Sequence, residues 1–319
     1  MNGCYHPNFP TGDRGLIAVD KAGNRVLFLD PVTLQTLDVL DGFAPRVHEL
    51  AISPDRTTAF APIYGDGRHG ANPHPGHQIA AIDLATRGHT GDLSVTPYLA
   101  PHGLRWGPRG ELYCVCENSG VVLELDAATG EHRAVIDVGS TNAHRIEVLP
   151  DGSKLYTENE EDPWATVVDL RRRERLPDVP APGGLAGIGM HPDGGTVVLV
   201  GGARPELLVL DTTDDTVVRT IRLTGHQQPA QIARYSPNGL HLVVTSNDED
   251  IATILDADLA IQGTVSLGQD PMDMAFAADG RSVVIGNQGD GTLTVVDLHD
   301  TRVVRTVEAG VGVESLAFY

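Results

Sequence analysis

Ala143-His-Arg-Ile-Glu-Val-Leu-Pro-Asp151 is an apolar stretch that runs into a Pro-Asp turn, and the same figure returns along the 319-residue chain. It recurs as Val47-His-Glu-Leu-Ala-Ile-Ser-Pro-Asp55, Pro101-His-Gly-Leu-Arg-Trp-Gly-Pro-Arg109 and Leu185-Ala-Gly-Ile-Gly-Met-His-Pro-Asp193. Ala230-Gln-Ile-Ala-Arg-Tyr-Ser-Pro-Asn238 and Pro271-Met-Asp-Met-Ala-Phe-Ala-Ala-Asp279 follow, and Val313-Glu-Ser-Leu-Ala-Phe-Tyr319 stops before any turn. Self-similarity at a period of roughly forty residues is the mark of a repeat architecture, not of separate domains.

Each turn is followed by a β-branched run such as Leu155-Tyr156-Thr157 or Val243-Val244-Thr245, and then by a polar loop. A further run, often ending in Asp as in Leu207-Leu-Val-Leu-Asp211, precedes a Val-Arg-Thr-Ile-like run that closes the unit. Four short strands with Gly and Pro at the turns, and no helical period, read as one propeller blade. The expectation is an all-β, seven-bladed β-propeller of four-stranded blades. The unit at Val313 has a single strand, while Leu16 to Asp20, Arg25 to Asp30 and Leu34 to Leu40 are three strands that lack a first. Pairing the C-terminal strand with these N-terminal strands in one composite blade removes the free sheet edges of an open ring. Residues 1–319 therefore read as one domain. Residues 1–12 form an N-terminal arm carrying Cys4-Tyr5-His6, and residues 65–77 form a long insertion in the first complete blade.

Val284-Ile-Gly-Asn287 followed by Gly291-Thr-Leu-Thr-Val-Val-Asp297 resembles the repeat of the YVTN-repeat and lactonase-like group of seven-bladed propellers. The resemblance runs over essentially the whole chain as a likeness of repeat units. It is more distant to the propellers of the streptogramin B lyase type. It implies the fold first, and a lactone hydrolase or lyase activity second; the ligands of those enzymes do not map residue by residue onto this sequence.

With 43 acidic against 23 basic residues the formal charge is −20, a field that repels phosphate backbones and anionic lipid heads, so neither nucleic acid nor membrane is an expected partner. No apolar run is long enough to span a bilayer, and Met1 to Pro10 has neither a basic nor an apolar signal region. Cys4, Cys114 and Cys116 read as reduced thiols. These features point to the cytoplasm. There is no Walker loop, no Gly-x-Ser-x-Gly elbow and no dinucleotide fingerprint.

The second residue of each repeated segment should fall near the start of an inner strand, where side chains converge on the channel axis. Beginning with the composite blade, this column reads Glu314, His48, His102, His144, Ala186, Gln231 and Met272. Three imidazoles and a carboxylate on four adjacent blades are a usual ligand set for a divalent transition metal, with Zn, Fe, Mn, Ni and Cu all compatible. His48, His102, His144 and Glu314 are thus the expected ligands. The competing reading is a ladder of histidines bonded to one another and to water. The loops between second and third strands open on the same face. They offer Glu117 and Glu158 as catalytic carboxylates, and Asn247 and Asn287, with Gln231, as substrate contacts. The insertion adds His69, His74 and His77, which could form a lid or contribute a ligand, with His74 and His77 as the expected substrate contacts.

The leading functional reading is a metal-dependent enzyme acting on a small molecule at the channel mouth, by elimination or by lactone hydrolysis. Two alternatives belong beside it: a non-catalytic scaffold binding a protein or ligand, and a lactonase that uses the channel carboxylates without the histidine column.

Overall fold

The computed structural model describes residues 13–278 and 280–319. The expected N-terminal arm, with Cys4, Tyr5 and His6, and the turn residue Asp279 lie outside the described residues. The described chain folds into seven antiparallel sheets, one per repeat.

The composite blade takes its inner strand from Val313–Phe318 and its remaining strands from Leu16–Asp20, Arg25–Leu29 and Thr36–Leu40, in that order. The ring continues with inner strands Ala51–Ile52, Pro101–Trp106, Ala143–Val148, Leu185–Met190, Ile232–Tyr235 and Pro271–Phe276. Only the blade of Ala143–Val148 departs from four strands, because its outer strand is split into Glu174–Arg175 and Val179–Pro180. Closure is built as expected: Leu16 stands opposite Phe318 and Ala18 opposite Leu316.

Two local devices repeat and explain the sequence pattern. In Leu149-Pro-Asp-Gly152 the Gly152 N–H donates to the Leu149 carbonyl at 2.8 Å, and Gly152 takes a φ of +67°, a left-handed conformation that costs glycine little. The equivalent turn after Ala51–Ile52 places Arg56 at a φ of +58° instead. The second device is the Asp that ends each third strand. The carboxylates of Asp30, Asp83, Asp126, Asp169, Asp211, Asp256 and Asp297 each accept a backbone N–H two or three residues on, fixing the turn into the outer strand. Part of the chain's acidity is therefore turn chemistry.

The core is a ring of clusters between neighbouring blades, not a single centre. Leu16, Ala18, Leu27 and Leu29 pack against Val284, Leu293 and Val295, while Ile17, Val19 and Phe28 pack against Ala59, Ala61 and Ile82 on the other side. Alternate residues of one strand thus serve two interfaces. Cys114 and Cys116 are both buried and free, in the cluster shared with Phe60 and Ile79.

The far end of the channel is lined by ion pairs. Glu147 accepts from Arg105 Nη2 at 2.9 Å and from Arg234 Nη1 at 3.1 Å, and Arg234 is held in turn by Asp273 at 3.1 and 3.2 Å.

Candidate metal centre

His48, His102 and His144 project from three adjacent blades into one buried cluster in which one ring nitrogen from each lies within 4.8 Å of the others. The ring centroids of His48 and His102 are 4.3 Å apart, and those of His102 and His144 are 3.8 Å apart. Regular strands would not place them so. The inner-strand register shifts between Pro101 and Leu104, and again between Ala143 and Arg145, so His102 and His144 each sit on a β-bulge. A bulge re-aims side chains, and it sends consecutive residues, His144 and Arg145, into the same cluster, where both are buried. His48 precedes Ala51–Ile52, and its backbone N–H donates to the Pro62 carbonyl at 3.0 Å, beside the isolated bridge of Val47 to Ile63. Close approach of neighbouring strands needs Gly103: a Cβ there would lie 2.9 Å from the His144 carbonyl oxygen. That carbonyl faces His102 Nδ1 at 3.1 Å.

Glu314 adopts a different place from the one the column suggests. Its Oε2 is 2.7 Å from His48 Nδ1 and its Oε1 accepts from Lys21 Nζ at 3.1 Å, so the carboxylate backs His48 and does not join the three-imidazole group. Burial alone would raise its pKa, but His48 and Lys21 outweigh burial and hold it below the usual carboxylate range. Lys21 Nζ is also 3.4 Å from His48 Nε2.

His102 is 1% exposed, and its Nε2 has no hydrogen-bond partner. Burial, with the nearby charges of His144, His48 and Arg145, pushes its pKa well below that of a free imidazole; burial and then Arg145 do the same to His144. Both rings are therefore neutral at pH 7, the form that ligates a metal.

A second layer lies beside His144. Its Nδ1 is 3.6 Å from Glu158 Oε2 and 3.3 Å from Glu160 Oε1. Burial and the Glu160 carboxylate push Glu158 well above the usual carboxylate range, and burial raises Glu160 as well. Glu117 accepts from the Tyr64 hydroxyl at 2.7 Å and lies 3.0 Å from His69 Nδ1. The Glu117 carboxylate beside it, with Glu160, outweighs the cost of burial and lifts His69 to about 9.

Of the insertion's histidines, His69 is the one brought in. The Gly65–Pro75 pairing and the Arg68–Ala71 bridge fold the loop back over the cluster. His74 is exposed and pairs with Asp66 at 2.7 Å, and His77 is exposed on strand Pro75–Asp83. Asn287 is buried with its Nδ2 donating to Thr292 and Thr294 at 2.9 Å each, a clasp repeated by Asn159 on Thr166, so this amide serves its own blade. Asn247 opens a short 3₁₀ turn, Asn247–Glu249. Gln231 lines a cavity of 390 Å³ with Glu160, Gly183, Gly184, Ala186 and Gly202.

Residues that the pattern of the sequence did not single out complete the pocket: Lys21, Glu49, Tyr64, Arg145 and Glu160. Glu49 Oε1 bridges His102 Nδ1 at 3.3 Å and Arg145 Nε at 3.6 Å. Lys21 carried a signal of its own, since it and Lys154 are the chain's sole lysines.

The chain matches no protein-family profile and no curated protein sequence. Among solved structures it is similar to hydrazine synthase of Kuenenia stuttgartiensis, with a TM-score of 0.71 and 19% identity over 85% of this chain and 89% of that one. It is also similar to a functionally unknown protein from Desulfotomaculum acetoxidans, with a TM-score of 0.78 and 12% identity over 95% and 98%. At these identities the likeness is one of fold: this chain is a seven-bladed β-propeller with a buried histidine cluster able to hold a metal ion.

Proposed function

We propose that the protein is a metal-dependent enzyme that acts on a small molecule at the mouth of its channel, by hydrolysis of a lactone-type ester or by elimination. The carrying observation is the convergence of His48, His102 and His144, all buried and drawn from separate blades. Nitrogen donors of this kind suit Zn, Fe, Mn, Ni or Cu. A metal held there supplies a Lewis acid for a substrate oxygen or acidifies a bound water.

The chain's own groups supply the remainder. Glu314 fixes the ring of His48 through Nδ1. Glu158, with its affinity for a proton raised by burial and by Glu160, is suited to take one from a water or from an acidic carbon. Substrate has room on the side of the ring where the histidine column is interrupted by Ala186 and Gln231, in the cavity that Glu160 borders. The resemblance of the repeats to lactonase-like propellers supports hydrolase or lyase chemistry, and the free thiols of Cys114 and Cys116 support a reducing compartment such as the cytoplasm.

Inductively coupled plasma mass spectrometry on untagged, chelator-free protein tests this. Stoichiometric transition metal, lost with His48→Ala and with His102→Ala, is the expected result. Metal-free wild type that folds and cannot be reconstituted overturns it.

A second reading rests on Lys21, whose ammonium stands 3.4 Å from His48 Nε2. In that reading the lysine supplies the positive charge of the pocket, and the propeller is a binding scaffold. Loss of thermal stability in Lys21→Met, with metal content at zero throughout, is its signature.

A further inference from the structure

The acidic layer beside His144 is not absorbed by the three-imidazole group. Glu158 is 0% exposed, yet neither carboxylate oxygen makes a hydrogen bond, and Glu117 Oε2 is likewise buried without a partner. His69, folded over the layer by the insertion, has both ring nitrogens buried without a hydrogen bond of good geometry. Buried polar groups of this kind normally have partners, and a buried carboxylate left alone is costly.

The charges of the pocket point the same way. Glu49, Glu117, Glu158, Glu160 and Glu314 crowd the start of the inner strands, and the permanent cations that touch them are Lys21 and Arg145. Lys21 is committed to Glu314, while Arg145, 3.6 Å from Glu49, also places its Nη1 3.2 Å from His144 Nδ1 and shares its charge with Glu158 and Glu160. One guanidinium thus stands against three carboxylates, and Glu117, Glu158 and Glu160 are otherwise faced by His69 and His144. Ligand atoms of His144, Glu158 and Glu160 lie within 4.8 Å of one another.

We propose that His144, Glu158 and Glu160 form a second divalent-cation site, distinct from the three-imidazole group, with Glu117 and His69 facing the ion from the side of the insertion. Its donors are mainly carboxylate oxygens, so, compared with the nitrogen-rich group, it is suited to harder ions such as Mn²⁺. His144 belongs to both groups. The two sites fill together when its two ring nitrogens serve one ion each, and the pocket is then a two-metal centre of the kind that clamps both attacking and leaving oxygens. The acidic site shares His144 with the metal reading above, but Glu158 and Glu160 do not contribute to the nitrogen-rich group, so their variants test it separately.

The test is a titration of full-length apoprotein with Mn²⁺, with the free ion counted by electron paramagnetic resonance, on wild type, Glu158→Gln, Glu160→Gln and His48→Ala. Wild type should take up Mn²⁺, both glutamine variants should lose at least ten-fold in affinity for one equivalent, and His48→Ala, which disables only the nitrogen-rich group, should still bind that equivalent. Glu160 is partly exposed, so its variant keeps the test decisive if Glu158→Gln fails to fold. No Mn²⁺ uptake by wild type overturns the proposal, as does uptake unchanged in both glutamine variants, which would assign it to surface carboxylates. Loss in His48→Ala alone would instead place the ion in the nitrogen-rich group and overturn the second site.

Discussion

Glu314 Oε2 lies 2.7 Å from His48 Nδ1, joining the strand that closes the ring to the first histidine of the next blade. The same carboxylate holds Lys21, so removing its charge affects the pocket's electrostatics and the closure of the fold at once. Glu314→Gln should weaken retention of a channel metal by about 10–100-fold, the usual cost of losing the partner that orients a ligating histidine. Lys21 is partly open to solvent, so the accompanying loss of stability should be about 2 kcal/mol, less than for a fully buried pair. Metal retention under a chelator series and urea unfolding measure the two effects separately.

The pH dependence of the metal-free protein has two opposed parts. His102 and His144 have folded-state values pushed below the unfolded imidazole value of about 6.5. The unfolded chain therefore binds more protons there, and stability is lost as pH falls below about 6.5. Glu158 has a raised value, so it acts the other way: folding is penalised progressively as pH rises above about 4.5, the ordinary carboxylate value. His102→Gln should flatten the loss of stability between pH 7.5 and 5.5, by up to about 1.4 kcal/mol per pH unit, and Glu158→Gln should steepen it. Urea midpoints at the two pH values decide both signs.

Gly103→Ala should destabilise by about 1–3 kcal/mol, since its Cβ would meet backbone atoms of the next blade that cannot step aside. It should also lower metal content, because the displaced backbone carries His102 and His144. Gly187→Ala is the control: its Cβ would lie 2.2 Å from the Gln231 carbonyl oxygen, on the side without histidines. Stability should fall there with metal content retained, as read by calorimetry and elemental analysis together.

Glu147→Ala at the far end of the channel should cost about 3–5 kcal/mol, because it leaves buried Arg234 with a single carboxylate and Arg105 with none. Glu147 lies three residues beyond His144, about 10 Å along an extended strand. Metal content and Mn²⁺ uptake should therefore match wild type in whatever fraction of the variant remains folded.

The ring, its closure and its strand boundaries were legible because each rests on local chemistry: a left-handed residue after Pro-Asp, and an Asp accepting from the next backbone N–H groups. The histidine column was legible because equivalent positions in a repeat converge on the axis. Arg145 and Glu49 escaped for the converse reason. Strict strand alternation sends neighbours of His144 and His48 away from the channel, and only the bulge and the irregular backbone before Ala51 turn them back. Glu160 sits in a loop beyond strand Lys154–Asn159, where no period operates. In the insertion the sequence favoured His74 and His77 as substrate contacts, whereas the fold of the loop, set by Asn72 bonding Gly67 and Tyr64, brings in His69. Asn287, the end of a YVTN-like strand, gives its Nδ2 to two threonines of its own blade and keeps a buried Oδ1 without a partner.

The composite blade also sets an order of events. Glu314 reaches the pocket only when Val313–Phe318 pairs with Leu16–Asp20, a contact between segments separated by nearly the whole chain. A polypeptide still emerging from the ribosome can assemble the blades of His102 and His144 while His48 lacks its carboxylate and Lys21 its counter-charge. The contact that closes the circle is thus also the one that completes the surroundings of His48 and Lys21.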